Sequence, residues 1–349
     1  YYYDIPSAAY KVIPGTDAFI LLDGFKESNV VWNNDGATVY DLGDGILNLE
    51  FHTKMNSIGA EVIEGINTAI TMAEKDYRGL VIANEGQNFS AGANLAMLFM
   101  YAVDQEFDEI DMIIRTFQNT MTRARFSSIP VVAAPAGMAL GGGCELSLHC
   151  DAIQAHAETY IGLVEVGVGL IPGGGGTKEF ALRASDEYQS GDPELNILQK
   201  YFMNIATARV ATSAEEARAM NILRPSDRIT LNRNRLIADA KARAIQISEA
   251  GYTQVTERKN IKVQGQSGLA MFGAGVEGMR RGHYASDHDA KIAHKIAWVM
   301  NGGDLSTPTE VSEQYLLDLE REAFLSLCGE PKTLERIQSI LFQGKPLRN

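Results

Sequence analysis

Two glutamates in glycine-rich settings are the residues best suited to chemistry. Glu145 lies in residues 136–146 (AGMALGGGCEL), just after three consecutive glycines. Glu165 lies in residues 162–177 (GLVEVGVGLIPGGGGT), ahead of four more. Glycines let a backbone turn tightly and approach a ligand with no side chain in the way. A helix start leaves N–H groups unpaired and exposes the positive end of its dipole. The first segment therefore offers free N–H groups to an anion, with a carboxylate one turn away. Around Glu165, the apolar Leu163, Val164, Val166 and Val168 would raise its pKa by desolvation and keep it protonated. Two carboxylates in different protonation states can take a proton from one atom and deliver one to another. Taken singly, Glu145 fits a helix-start carboxylate and Glu165 a strand-end surface residue. The pair in matching glycine frames carries the functional reading.

A third segment has the same character. Residues 80–84 form an apolar strand that leads into residues 88–95 (NFSAGANL), small residues that open a helix. The trio SAGAN, ALGGGCEL and GLVEVGVGLIPGGGGT resembles the crotonase (enoyl-CoA hydratase/isomerase) superfamily, over roughly residues 36–225. Over its whole length the chain also resembles the C-terminal hydratase portion of bacterial fusions with a 3-hydroxyacyl-CoA dehydrogenase. The resemblance implies an α/β fold, a spiral of ββα units, here with a long C-terminal helical region. It implies addition of water across a trans-2-enoyl-CoA thioester in fatty-acid β-oxidation. Glu145 and Glu165 match the family's catalytic glutamates, Glu145 as the base on water and Glu165 as the proton donor to carbon; the pair is better specified than the order of roles. The backbone N–H groups of Ala93 and Gly142 match the oxyanion donors, which stabilise charge on the thioester oxygen.

The resemblance extends to substrate contacts. Lys54, Met55, Asn56 and Ala91 fall where the family wraps the pantetheine and adenine; Gly92, Asn94, Gly141, Pro172, Gly173 and Gly174 are further substrate or coenzyme A contacts, with the backbone from Gly173 passing close to the acyl chain. Asn94 stands where the family commonly has Asp, which removes a charge but not the backbone donor beside it. No metal and no redox cofactor is implied, coenzyme A being part of the substrate. A trimer or pair of trimers, a cytoplasmic setting and an N-terminal dehydrogenase partner outside this chain are further expectations. The alternatives are a Δ3,Δ2-enoyl-CoA isomerase, which can operate with one carboxylate, and an inactive crotonase-like scaffold. Both glutamates are present, which favours the hydratase.

The totals bound these readings. The chain has 349 residues, 45% of them apolar, and a net charge of −13. That balance argues against nucleic acid or an anionic membrane as a general partner. A coenzyme A site would then need local basic groups or helix N-termini for its phosphates; Lys332, Arg336 and Lys345 are candidates, although a solvated helix face is the simpler reading of each. Three cysteines without a CxxC spacing fit a reducing compartment. No apolar run is long enough for a membrane span.

The elements that must position the glutamates follow from periodicity. Residues 1–35 read as an aromatic, irregular arm, 36–225 as the catalytic core and 226–349 as a helical region. Residues 37–51 read as a hairpin about Gly43-Asp44-Gly45. Helices are predicted over 57–75, 107–125, 229–250, 285–300 and 332–341. Capping-box patterns at Ser213 and Thr307 predict two more. Met97, Met100 and Phe117 would set pocket depth. The GxGxxG match at Gly273–Gly278 lacks a preceding strand and a following acidic residue, so it reads as a helix contact or loop. His283, His288 and His294 share no helix face and read as solvated.

Overall fold

In the computed structural model, which describes residues 1–349 except 17 and 27, a seven-stranded sheet runs through the chain. Its order is Arg228–Thr230, Ala152–His156, Val131–Ala133, Gly79–Ile82, Ile46–Phe51, Ala37–Asp41, Val30–Asn33. The first five are parallel; the last two run antiparallel to their neighbours, and the expected turn at Gly43–Gly45 joins Ala37–Asp41 to Ile46–Phe51. The central strands are apolar on both sides because both faces are covered. Leu80 and Ile82 face one core, with helix Ala60–Asp76 on it. Val81 faces the other, against Leu236, Ile237, Ala240 and Ala244 of helix Leu236–Glu249. Helix Ala60–Asp76 buries Val62, Ile66, Ala69, Ile70 and Ala73, the stripe that its 3.6-residue period predicts. A second, two-stranded parallel sheet pairs Gly137–Leu140 with Thr159–Gly162.

This is the mixed α/β architecture with a helical C-terminal region that the sequence implied. Helix Phe107–Arg125 has the predicted bounds. Several expectations need correction. The predicted helix over 229–250 begins only at Leu236, because residues 228–230 add a strand to the sheet edge beside Ala152–His156. The pattern at Thr307 caps no helix; residues 309–311 pair with Ile261–Val263, and Ser312 caps Glu313–Cys328 instead. Ser213 does accept from the Glu216 amide, but the Glu216 side chain turns to Thr212. The helix Glu194–Ala206 was not anticipated. Gly273–Gly278 lies inside helix Gly265–Arg281. His288 is not solvated: it is buried against Thr333. Two strands extend the sheet past the bounds drawn from sequence at 36 and 225, through Val30–Asn33 and Arg228–Thr230. The three cysteines are free and buried. Among the described residues no helix is long and apolar enough to cross a membrane.

Candidate active site

The glycine segments meet edge to edge. Strand Gly137–Leu140 pairs with Thr159–Gly162 on one side and bridges Ser90 through Ala139 on the other. The pairing then continues through a bridge from Ala93 to Ile58, whose N–H donates to Gly92 O at 2.9 Å and whose carbonyl accepts from Asn94 N at 3.2 Å. Ala93 lies between these bonds, and its own N–H donates to no described residue. Gly142 is the first residue of helix Gly142–His149, so its N–H has no partner within the helix. A Cβ built on Gly142 would sit 3.5 Å from Ala93 N, so the two open amides are neighbours. Gly141 makes the turn with φ of 52°, and a Cβ there would approach Glu165 Oε1 to 3.0 Å. A side chain at 141 would therefore be strained by its backbone and press on the carboxylate.

Glu145 is buried, and its Oε1 accepts the amides of Gly174 at 2.7 Å and Gly176 at 2.9 Å. Burial pushes its pKa up to about 7, against those two amides and Lys178, which favour the charged form. Glu165 opens the 3-10 turn Glu165–Val168 rather than ending a strand. It is half-buried on the cavity wall, but its Oε2 is fully buried with no hydrogen-bond partner among the described residues. Burial and then the Glu145 charge hold its pKa well above the usual carboxylate range. The two carboxylates therefore sit in unequal environments, as the sequence suggested.

Both line one cavity of about 480 Å³. Ala93 and Gly142 line it too, with Ala91, Gly92, Asn94, Gly141 and Gly173. Most of the remaining wall is apolar, including Ile58, Leu98, Ile114 and Leu170, with Glu64 and Thr116 as polar members. Met97 and Phe117 belong to it, but Met100 is 65% exposed and does not. Pro172 and Gly174 stand behind the wall; Gly174 acts through its amide on Glu145. Lys54, Met55 and Asn56 are outside the lining. Lys54 and Met55 are exposed, and the Asn56 amide donates to Asn88 O at 2.8 Å. Asn94 caps helix Leu95–Val103, its Oδ1 accepting from Ala96 N at 3.1 Å. Asp and Asn serve that position alike.

Three contributions from the C-terminal helices escaped sequence reading. Phe324 lines the cavity and packs on Gly173. Glu320 accepts amides of the glycine loop. Arg336, expected on a solvated face, is 1% exposed: it donates to Val166 O at 3.0 Å and pairs with Asp289 at 2.8 Å. With Thr333 donating to Gly169 O at 2.8 Å, it pins the last helix onto the Glu165 turn. The available signal was a charge on an apolar face, since Leu316, Leu317, Ala323, Phe324 and Leu327 surround Glu320 at helical spacing.

Behind the loop lies a buried ionic cluster. Lys178 Nζ donates to Glu179 at 2.8 Å, Glu313 at 3.0 Å and His149 Nε2 at 3.0 Å. An ammonium only donates, so His149 Nε2 accepts and its Nδ1–H donates to Glu145 O at 2.7 Å. His149 is thus neutral, and burial together with Lys178 depresses its pKa well below the usual value. Arg125 joins Glu179 at 2.8 Å and Glu313 at 3.1 Å.

Residues 42–185 match the enoyl-CoA hydratase/isomerase family. They are a crotonase-family domain. A Bacillus subtilis protein described as a probable 3-hydroxyacyl-CoA dehydrogenase is 47% identical over 350 residues, covering all of this chain and 44% of that protein. A Rickettsia felis protein described as a putative fatty acid oxidation complex trifunctional enzyme is 29% identical, covering 91% of this chain and 41% of its own length. The chain thus spans less than half of each of these relatives. An enoyl-CoA hydratase structure from Bacillus halodurans superimposes with a TM-score of 0.59 at 17% identity, covering 87% of this chain and all of that one. That likeness is one of fold, and the crotonase-family fold is what places the two glutamates on one cavity.

Proposed function

We propose that this crotonase-family chain hydrates trans-2-enoyl-CoA to 3-hydroxyacyl-CoA. One observation carries the proposal: two carboxylates and two unpaired amides converge on a single apolar cavity. The acyl chain occupies the cavity, and the thioester oxygen accepts from Ala93 N–H and Gly142 N–H. Glu145 removes a proton from water as its oxygen bonds to C3. Electron density moves from the C2–C3 double bond to the thioester oxygen, where donors already in place stabilise it without reorganising. Glu165 then protonates C2. A Glu145 pKa of about 7 makes it a competent base near neutral pH. Burial keeps Glu165 protonated, ready to donate. These steps call on no metal and no redox cofactor. The product carries a secondary alcohol, the substrate of a dehydrogenase, which supports a dehydrogenase partner in the same pathway or polypeptide.

The test is loss of conjugated-enone absorbance when the purified chain meets crotonyl-CoA and a longer enoyl-CoA. Rapid loss is expected, and Glu145→Gln and Glu165→Gln should each abolish it. Near-normal turnover in both variants would overturn the two-carboxylate mechanism. Appearance of enone absorbance from a 3-enoyl-CoA, without hydration of the 2-enoyl isomer, would make the chain an isomerase.

A further inference from the structure

Helix Glu313–Cys328 brings a third carboxylate to the glycine loop. Glu320 is fully buried. Its Oε1 accepts the Gly175 amide at 2.6 Å, and its Oε2 accepts those of Thr177 at 2.8 Å and Lys178 at 3.1 Å. Glu145 takes the alternate amides, those of Gly174 and Gly176. Successive N–H groups from 174 to 177 therefore alternate between two carboxylates on opposite sides of the loop. The alternation requires Gly175 in the left-handed region, at φ of 102°, where a Cβ would meet His149 at 2.8 Å. Glu320 does not line the cavity, so it does not touch a substrate there.

We propose that Glu320 is a positioning residue for Glu145: by holding Gly175, Thr177 and Lys178 it keeps the Gly174 and Gly176 amides on Glu145 Oε1. The other oxygen of Glu145 has no hydrogen-bond partner among the described residues and is left for the water. The C-terminal helices thereby complete the catalytic centre instead of merely covering it. The inference rests on Glu145 being the base, and it adds a residue from outside the matched family region, residues 42–185.

Two routes connect Glu320 to Glu145, and they differ in sign. Losing the clamp frees the loop, so Glu145 loses donors that favour its charged form and its pKa rises. Losing the Glu320 charge would lower it, but burial and then the Glu145 charge push the Glu320 pKa up to about 8, so little of that charge is present on the acid limb and the clamp decides the sign. Besides Glu145, the titratable groups that interact with Glu320 are Lys178 on helix Gly176–Glu187 and Glu165 on its 3-10 turn; His149 and Glu313 meet Lys178. None of them is altered in the test.

The test uses Glu320→Gln and Glu320→Asp in the full chain. The Gln variant puts an NH2 group against loop amides, and the Asp variant retracts the carboxylate by one methylene. Amide exchange at Gly174 and Gly176, followed by NMR on glycine-labelled protein, should quicken about tenfold or more although neither bonds Glu320. kcat should fall about 10- to 100-fold with KM little changed. The acid limb of the kcat profile should move to higher pH. Unchanged exchange in a folded variant, or an acid limb that stays or moves down, overturns the proposal. If Glu320→Gln does not fold, Glu320→Asp decides by the same readouts. Should the wild-type chain fail to hydrate enoyl-CoA, the hydratase reading falls, while the exchange experiment still decides whether Glu320 holds the loop against Glu145.

Discussion

Glu145→Gln is expected to stabilise the protein at alkaline pH while removing its turnover. In the unfolded chain this carboxyl ionises near 4.5; in the fold, burial delays ionisation to about 7. Between those values the native state holds a proton that the unfolded state has lost, so stability falls as pH rises. The contribution is fully present below pH 4.5 and gone above about 7. At about 1.4 kcal/mol per pH unit, the loss is roughly 3 kcal/mol. Gln is neutral at every pH, and its carbonyl oxygen can keep the amides of Gly174 and Gly176. Urea unfolding followed by far-UV circular dichroism at pH 5 and pH 8 measures the difference. The variant should unfold at a higher urea concentration than wild type at pH 8 and close to wild type at pH 5. In the same samples enoyl-CoA hydration should drop by about 10²- to 10⁴-fold, the range for loss of a general base. A variant no more stable than wild type at pH 8, or an offset equal at both pH values, would refute the argument that Glu145 is held charged against its environment.

Three further outcomes follow from the same geometry. The kcat/KM profile should fall below about pH 7 as Glu145 takes up its proton, with about a tenfold loss per unit well below that point; a profile flat from pH 5 to 8 would exclude Glu145 as the base. Arg336→Met should cost about 3–5 kcal/mol in urea unfolding, because it strands the mostly buried Asp289 and releases the Glu165 turn; a loss under about 1 kcal/mol would show the pin to be dispensable. Phe324→Ala should enlarge the cavity, raise the ratio of long-chain to crotonyl-CoA turnover, and destabilise by about 3–5 kcal/mol; an unchanged ratio would mean that the acyl chain does not reach Phe324.

Local signals made much of the fold legible. Helix Phe107–Arg125 and the hairpin about Gly43–Gly45 follow from periodicity and turn residues, which act over a few positions. The reading failed where a distant segment decided the outcome. Residues 228–230 have helical neighbours but find an open sheet edge at Ala152–His156, so pairing overrides propensity. Residues 309–311 likewise pair with Ile261–Val263, which moves the helix start to Ser312.

The candidate site divides in the same way. Glycine frames around Glu145 and Glu165 are written in consecutive residues, because a tight turn into a helix needs those residue types at those positions. Whether the turns face one another is set by packing. The adjacency of the Ala93 and Gly142 amides depends on the bridge from Ile58 and on the ladder through Ser90 and Ala139. The unequal carboxylates depend on burial, which is a property of the assembled walls. Lys54, Met55 and Asn56, matched by position to the pantetheine and adenine contacts, stand outside the cavity. Glu320 and Arg336 reach the site from more than a hundred residues downstream. By sequence Arg336 is an ordinary helix charge and Glu320 no more than a charge on an apolar face; only the tertiary structure buries them, and a buried polar group must bond the backbone around it, which is what makes each one hold a loop in place.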